Sequence, residues 1–200
     1  MAYYRCTSFG WRSLLRSSLL SLFLLTWLSA CQHRVSTNQQ RAAAAQARLA
    51  LALQYIDQQQ FAQAKYNLNQ ALAQQSNLVA VYNGFAYYYQ QVAQWSQAQV
   101  YYQKALLLAP DDADTHNNYG VWWCHRQQYA QAEQHFLYAL QNPTYFRSAN
   151  TWENAARCAW RSGNTQKAID YLRRAIAHAP KALALRRTLR QWSIPRTMTQ

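Results

Sequence analysis

The chain has 200 residues, half of them apolar and only 14% charged, with 4 Gly, 4 Pro and a formal net charge of +13. That length suffices for one domain with a core or for a short repeat array. So few Gly and Pro leave too few tight turns for a β-sandwich or barrel, and the abundant Ala and Gln favour an all-helical chain. The five His are scattered, and no HExxH, CxxC, GxGxxG or Walker loop is present. Cys124-His125 is a single pair of possible metal ligands with no second pair to close a tetrahedral site. No catalytic residue, metal or cofactor is therefore assigned, and the expectation is that the protein is not an enzyme.

Residues 1–30 have the three parts of an export signal. Arg5, Arg12 and Arg16 form a positive start, and Leu19 to Leu28 is an apolar run too short to span ~30 Å of hydrocarbon stably. It ends in Leu28-Ser29-Ala30-Cys31. This string resembles the bacterial lipobox, which implies cleavage before Cys31 and acylation (palmitate among the chains) of Cys31. Two or more acyl chains anchor stably where one does not. In that lipoprotein class an Asp after the Cys favours the inner membrane. Here Gln32 follows, so the resemblance implies the outer membrane, with the chain lipid-anchored on its periplasmic face. Residues 31–44 are expected to be the lipidated Cys and a polar tether without hydrophobic period.

From residue 45 a period of 34 dominates. Ala64, Ala98 and Ala132 stand 34 apart, and Ala168 follows 36 later. The same spacing relates Leu68, Tyr102, Phe136 and Leu172, then Ala71, Ala105, Ala139 and Ala175, and upstream Ala52, Ala86, Gly120 and Ala156. Phe61, Trp95 and Tyr129 mark the turns inside each unit, with Thr165 the weakest. Small residues where helices cross, flanked by large ones, resemble the tetratricopeptide repeat (TPR). The resemblance implies an all-α TPR solenoid of four helix-turn-helix repeats over 45–182 (45–78, 79–112, 113–146 and 149–182), closed by a capping helix and tail over 183–200. A single repeat cannot bury its apolar stripe, and stacking supplies the missing surface. The many aromatics are accordingly assigned to seams between helices rather than to a platform for nucleic acid.

Repeats three and four carry more. Asn117-Asn118-Tyr119-Gly120 with Cys124, Gln141-Asn142-Pro143-Thr144-Tyr145, and Glu153 through Cys158 (ENAARC) resemble the type IV pilus biogenesis/stability lipoproteins, the PilF/PilW pilotin family. The resemblance implies a scaffold that binds a protein partner, a pilus secretin subunit, and assists pilus assembly. A second reading is a periplasmic TPR adaptor regulating an envelope enzyme such as a peptidoglycan synthase. Neither calls for nucleic acid or a small-molecule substrate.

Without Arg5, Arg12 and Arg16, 17 basic residues face 7 acidic ones, a net charge of +10. Eleven of those cations lie between Arg147 and Arg196, opposed only by Glu153 and Asp170. Such a surface suits acidic partners, anionic lipid or a polyanion, or is simply solvated. First helices line the concave face of such a solenoid. Their outward positions give a candidate protein-binding groove of Asn83, Tyr87, Gln90, Gln91, Asn117, Val121, His125, Glu153, Arg157 and Arg161. Amides in a row suit an extended peptide backbone, and Arg157 and Arg161 suit a carboxylate. Once Cys31 is acylated, Cys124 and Cys158 are the remaining pair of the exported part. Cys158 aligns with Trp122, so Cys124 lies two residues further along, about 200° around its helix. One thiol can then face forward and the other back, giving an expected Cys124–Cys158 disulfide; two buried free thiols are the alternative.

Overall fold

The computed structural model describes residues 37–194. The export signal, Cys31 and the end of the tail lie outside the described residues. Among the described residues nine helices follow in order: α1 Thr37–Asp57, α2 Phe61–Gln74, α3 Val79–Gln91, α4 Trp95–Leu108, α5 Ala113–His125, α6 Tyr129–Ala139, α7 Ser148–Arg161, α8 Thr165–His178 and α9 Leu183–Ser193. No strand occurs among the described residues, and none of their helices is long and apolar enough to cross a membrane. The chain divides into Met1–Gln40 and Arg41–Gln200, and all four repeats lie in the second unit.

Residues 37–44, expected as tether, are the first turns of α1. They lack a hydrophobic period because nearly every side chain there is exposed, yet Gln and Ala are strong helix formers that extend a helix without burial.

The helices pair as α1–α2, α3–α4, α5–α6 and α7–α8. Each first helix ends in the same closure. Gln59, Ala93, Gln127 and Gly163 adopt φ of 58°, 56°, 61° and 83° at equivalent positions. The next amide reaches back five residues, as in Gln60 N to Tyr55 O at 2.8 Å and Gln94 N to Tyr89 O at 2.8 Å. This is a Schellman closure, which needs one left-handed residue. Only the fourth repeat supplies glycine for it.

The repeat columns form the core. Ala64, Ala98, Ala132 and Ala168 are wholly buried, as are Ala52, Ala86 and Ala156. Leu68, Tyr102, Phe136 and Leu172 are at most 1% exposed. Gly120 shows why the crossing column is small. A Cβ there would stand 2.7 Å from the Phe136 ring, with the Ala132 carbonyl at 3.1 Å. Gly84 is hemmed in likewise by Leu49 and Leu68. α9 closes the far end, burying Leu185 against Trp152, Leu172 and Ala175, with Leu189 and Trp192 half-buried beside it.

Candidate functional site

Successive first helices present one face at the same helical positions. Ala80, Asp114 and Asn150 form a column, followed by Asn83, Asn117 and Glu153, then Gly84, Asn118 and Asn154, then Tyr87, Val121 and Arg157, then Gln91, His125 and Arg161. These positions are i, i+3, i+4, i+7 and i+11, one side of a helix. Leu49 and Leu53 of α1 and Tyr102 of α4 extend the surface.

The result is three adjoining clefts. The largest, about 540 Å³, runs over α1, α3 and α5 and is lined by Asn83, Tyr87, Gln90, Gln91, Val121 and His125, with Leu49 and Leu53 on its apolar wall. A second, about 190 Å³, shares Val121 and His125 and adds Arg157 and Arg161. A third, about 320 Å³, holds Asn117 and Glu153 with Asp114 and Arg147. All ten residues singled out from the sequence thus line one of the three.

Their hydrogen bonding refines that reading, because most of the amides are engaged within the protein. Asn83 Nδ2 donates to Thr115 Oγ1 at 2.7 Å, whose hydroxyl donates to Asp112 at 2.5 Å. Asp112 also caps α5, accepting from the Thr115 amide at 2.8 Å. Asn154 Nδ2 donates to Asn117 Oδ1 at 3.0 Å, Tyr87 to Asp57 at 3.3 Å, and Gln90 to the Tyr102 hydroxyl at 2.5 Å. These bonds join neighbouring repeats or the two helices of one repeat, and they hold the groove's width. What is left for a partner is narrower: the Asn83 Oδ1 acceptor, buried without a partner, exposed Gln91 and His125, and the cations. Arg157 is held by Glu153 at 2.6 Å. Arg161 is exposed; partial burial of the His125 ring first, and then the Arg161 charge, holds the His125 pKa below its ordinary range.

Sequence reasoning missed two columns, those of Asp114 and Asn118. Asp114 accepts from the Tyr145 hydroxyl at 2.8 Å and from Arg147 at 3.1 Å. Burial first, and then Asp114, pushes the Tyr145 phenol up to about 12. Moving the columns already identified by one residue, or one turn back, would have found both. Arg147 had no such signal, since it sits in the longer connection between repeats three and four.

Cys124 of α5 and Cys158 of α7 are bonded in the structure, with Cα atoms 5.7 Å apart, inside the span a disulfide bridges. Both line the 190 Å³ cleft beneath His125, Arg157 and Arg161. Among the described residues, no group of three or more His, Cys, Asp or Glu is placed to hold a metal.

A tetratricopeptide-repeat family model matches residues 149–182, the fourth repeat. A Haemophilus influenzae protein described as uncharacterized is 38% identical over 132 residues, covering 66% of this chain and 74% of that one. The chain belongs to the same family as that relative. Among solved structures, the TPR array is similar to PilW, described as a widely conserved type IV pilus biogenesis factor: 28% identity, 74% of this chain and 68% of that one, TM-score 0.66. Pseudomonas aeruginosa PilF, at 23% identity, shares the fold over 76% of this chain and 75% of its own with a TM-score of 0.67. So does a thermophilic TPR protein of Thermus thermophilus, at 18% identity, with 74% and 80% covered and a TM-score of 0.68. This TPR chain is therefore a repeat scaffold similar to PilW, and it shares its fold with PilF.

Proposed function

We propose that this TPR protein is a lipid-anchored scaffold of type IV pilus biogenesis, attached through acylated Cys31 to the periplasmic face of the outer membrane. Its partner is a protein, a pilus secretin subunit whose assembly it assists. The observation that carries the reading is the continuous concave face of α3, α5 and α7, with an apolar wall at one end and Arg157, Arg161 and His125 at the other. A groove bounded this way suits a segment of chain carrying an apolar side chain and, further along, a carboxylate. The likeness to PilW supplies the pilus context. In an exported protein the Cys124–Cys158 bridge is stable, since that compartment is oxidising.

Co-purification from envelopes tests the partner. A multimeric secretin should accompany the wild-type protein, and deletion of the gene should deplete secretin multimers. Recovery of a peptidoglycan synthase instead would favour an envelope-enzyme adaptor. The anchor is tested separately by Cys31→Ser: the protein should leave the outer-membrane fraction, and normal flotation at normal mature mass would place the anchor elsewhere.

A further inference from the structure

The last helix carries a second surface that the groove does not use. Successive residues turn by 100° along a helix, which sets Leu185, Leu189 and Trp192 on one side of α9, the side packed on the fourth repeat. Leu183, Arg186, Arg187 and Arg190 fall on the opposite side, and all four are exposed. Leu183 is 70% exposed, and Ile194, just past the helix end, is 67% exposed. Arg186 bonds the Pro180 carbonyl at 2.8 Å. The side chains of Lys181, Arg187 and Arg190 have no hydrogen-bond or ion-pair partner among the described residues. No acid is near in sequence either: from Tyr171 to Gln200 there are seven Lys and Arg and no Asp or Glu.

We propose that the outward face of α9 docks on an anionic lipid bilayer, setting Lys181, Arg187 and Arg190 against headgroup phosphates and Leu183 and Ile194 at the acyl boundary. Charge complementarity favours an anionic partner, because three cations gain by leaving a region with no counter-charge of its own. The shape selects among anionic partners. The three clefts of the concave face are lined by residues no later than Arg161, and α9 presents a convex row of long side chains. A planar surface accommodates that row without needing a groove. The two exposed apolar side chains stand at opposite ends of the helix and bracket Arg187 and Arg190, with Lys181 two residues before the helix. A bilayer offers phosphates with hydrocarbon just beneath, and so accommodates both kinds of side chain. A soluble polyanion would leave Leu183 and Ile194 in water. Each basic residue near an anionic leaflet contributes on the order of 1 kcal/mol, a ratio of about five in partition coefficient, and the attraction is screened by salt.

The test uses the full chain with vesicles of phosphatidylcholine alone and of an equimolar mixture with phosphatidylglycerol. Neutral vesicles report whatever the N-terminus contributes; the increment on anionic vesicles reports α9. Each of Lys181→Gln, Arg187→Gln and Arg190→Gln should reduce that increment about fivefold. The pair Leu183→Ser with Ile194→Ser should reduce it less, and helicity and melting should stay unchanged in all. Added salt should erase the increment in the wild type. Equal binding of wild type and the triple Gln variant to anionic vesicles would overturn the proposal. So would tight binding of polyglutamate or duplex DNA that is lost in the triple variant, with no gain on anionic vesicles.

Discussion

Repeats one and two and repeats three and four share one backbone register but are held together by different chemistry. Packed rings run through both halves, and among the described residues the first half has them without any disulfide or ion pair. Tyr101 stacks on Phe85 at 4.7 Å and on Tyr89 at 5.3 Å, and Phe61 meets Tyr88 edge-on at 6.3 Å. The second half adds a disulfide and charge to its own ring contacts. All four ion pairs among the described residues lie within it, and Glu133 takes both Lys167 and the Tyr171 hydroxyl. Burial alone would raise Glu133, but those two partners hold it below the ordinary carboxylate range. The solenoid itself requires only small residues at crossings and large ones beside them. How neighbouring repeats are joined is left to local chemistry. The half held by covalent and ionic ties is also the half whose concave face is basic.

The largest expected effect breaks the covalent tie. Reducing the protein, or making Cys124→Ser with Cys158→Ser, should cost roughly 3–4 kcal/mol by loop entropy. Hydrogen exchange should rise across α7 and α8 while α1 to α4 are untouched. Two titratable thiols in unreduced material from the native compartment would show that the bond does not form there. Next, Gly120→Leu should overpack the α5–α6 crossing by about 1–3 kcal/mol, since even a Cβ meets Phe136 at 2.7 Å. Ala98→Leu should act likewise in the first half. Melting temperatures unchanged by both would contradict the register.

Acid should weaken the third repeat. His116 is buried, donating through Nε2 to the Pro110 carbonyl at 2.8 Å and meeting His135 Nδ1 at 2.9 Å. Burial first, then His116, lowers His135 to about 4. Because the folded pKa lies below the unfolded value of about 6.5, the unfolded chain binds more protons between these values. Stability is then full above pH ~6.5 and falls as the pH drops toward 4. The loss should be about 1 kcal/mol, less than the full shift because the ring is only half-buried and screened by solvent. His135→Gln should flatten that slope in pH-dependent melting. The smallest effect is in the turns. Ala93→Gly and Gln127→Gly should each stabilise by about 0.5–1 kcal/mol, by relieving a left-handed non-glycine residue, and Gly163→Ala should destabilise by a similar amount.

Much of this was legible beforehand, for a physical reason. Crossing positions tolerate little but Ala or Gly, so Ala64, Ala98, Ala132 and Ala168 announce the period without reference to structure. The groove was legible as a face but not as a set of free groups. Which amide of Asn83 or Asn117 is engaged depends on Thr115 and Asn154 across a repeat boundary, and periodicity carries no information about hydrogen-bond partners. The start of α1 was missed for the opposite reason. An alanine and glutamine run forms helix by propensity alone, leaving no amphipathic pattern to find.

Reversing the cations of the concave face separates a partner-binding groove from a merely solvated one. Arg157→Glu with Arg161→Glu should leave circular dichroism and melting close to wild type, because both side chains are exposed and the Glu153–Arg157 pair that is lost is a partly solvated surface contact worth little. Capture of the protein partner should be abolished, and whatever binding remains should depend less on salt. Partner binding at wild-type affinity and salt dependence in the folded double variant would contradict the account, and would move the interface off the concave face.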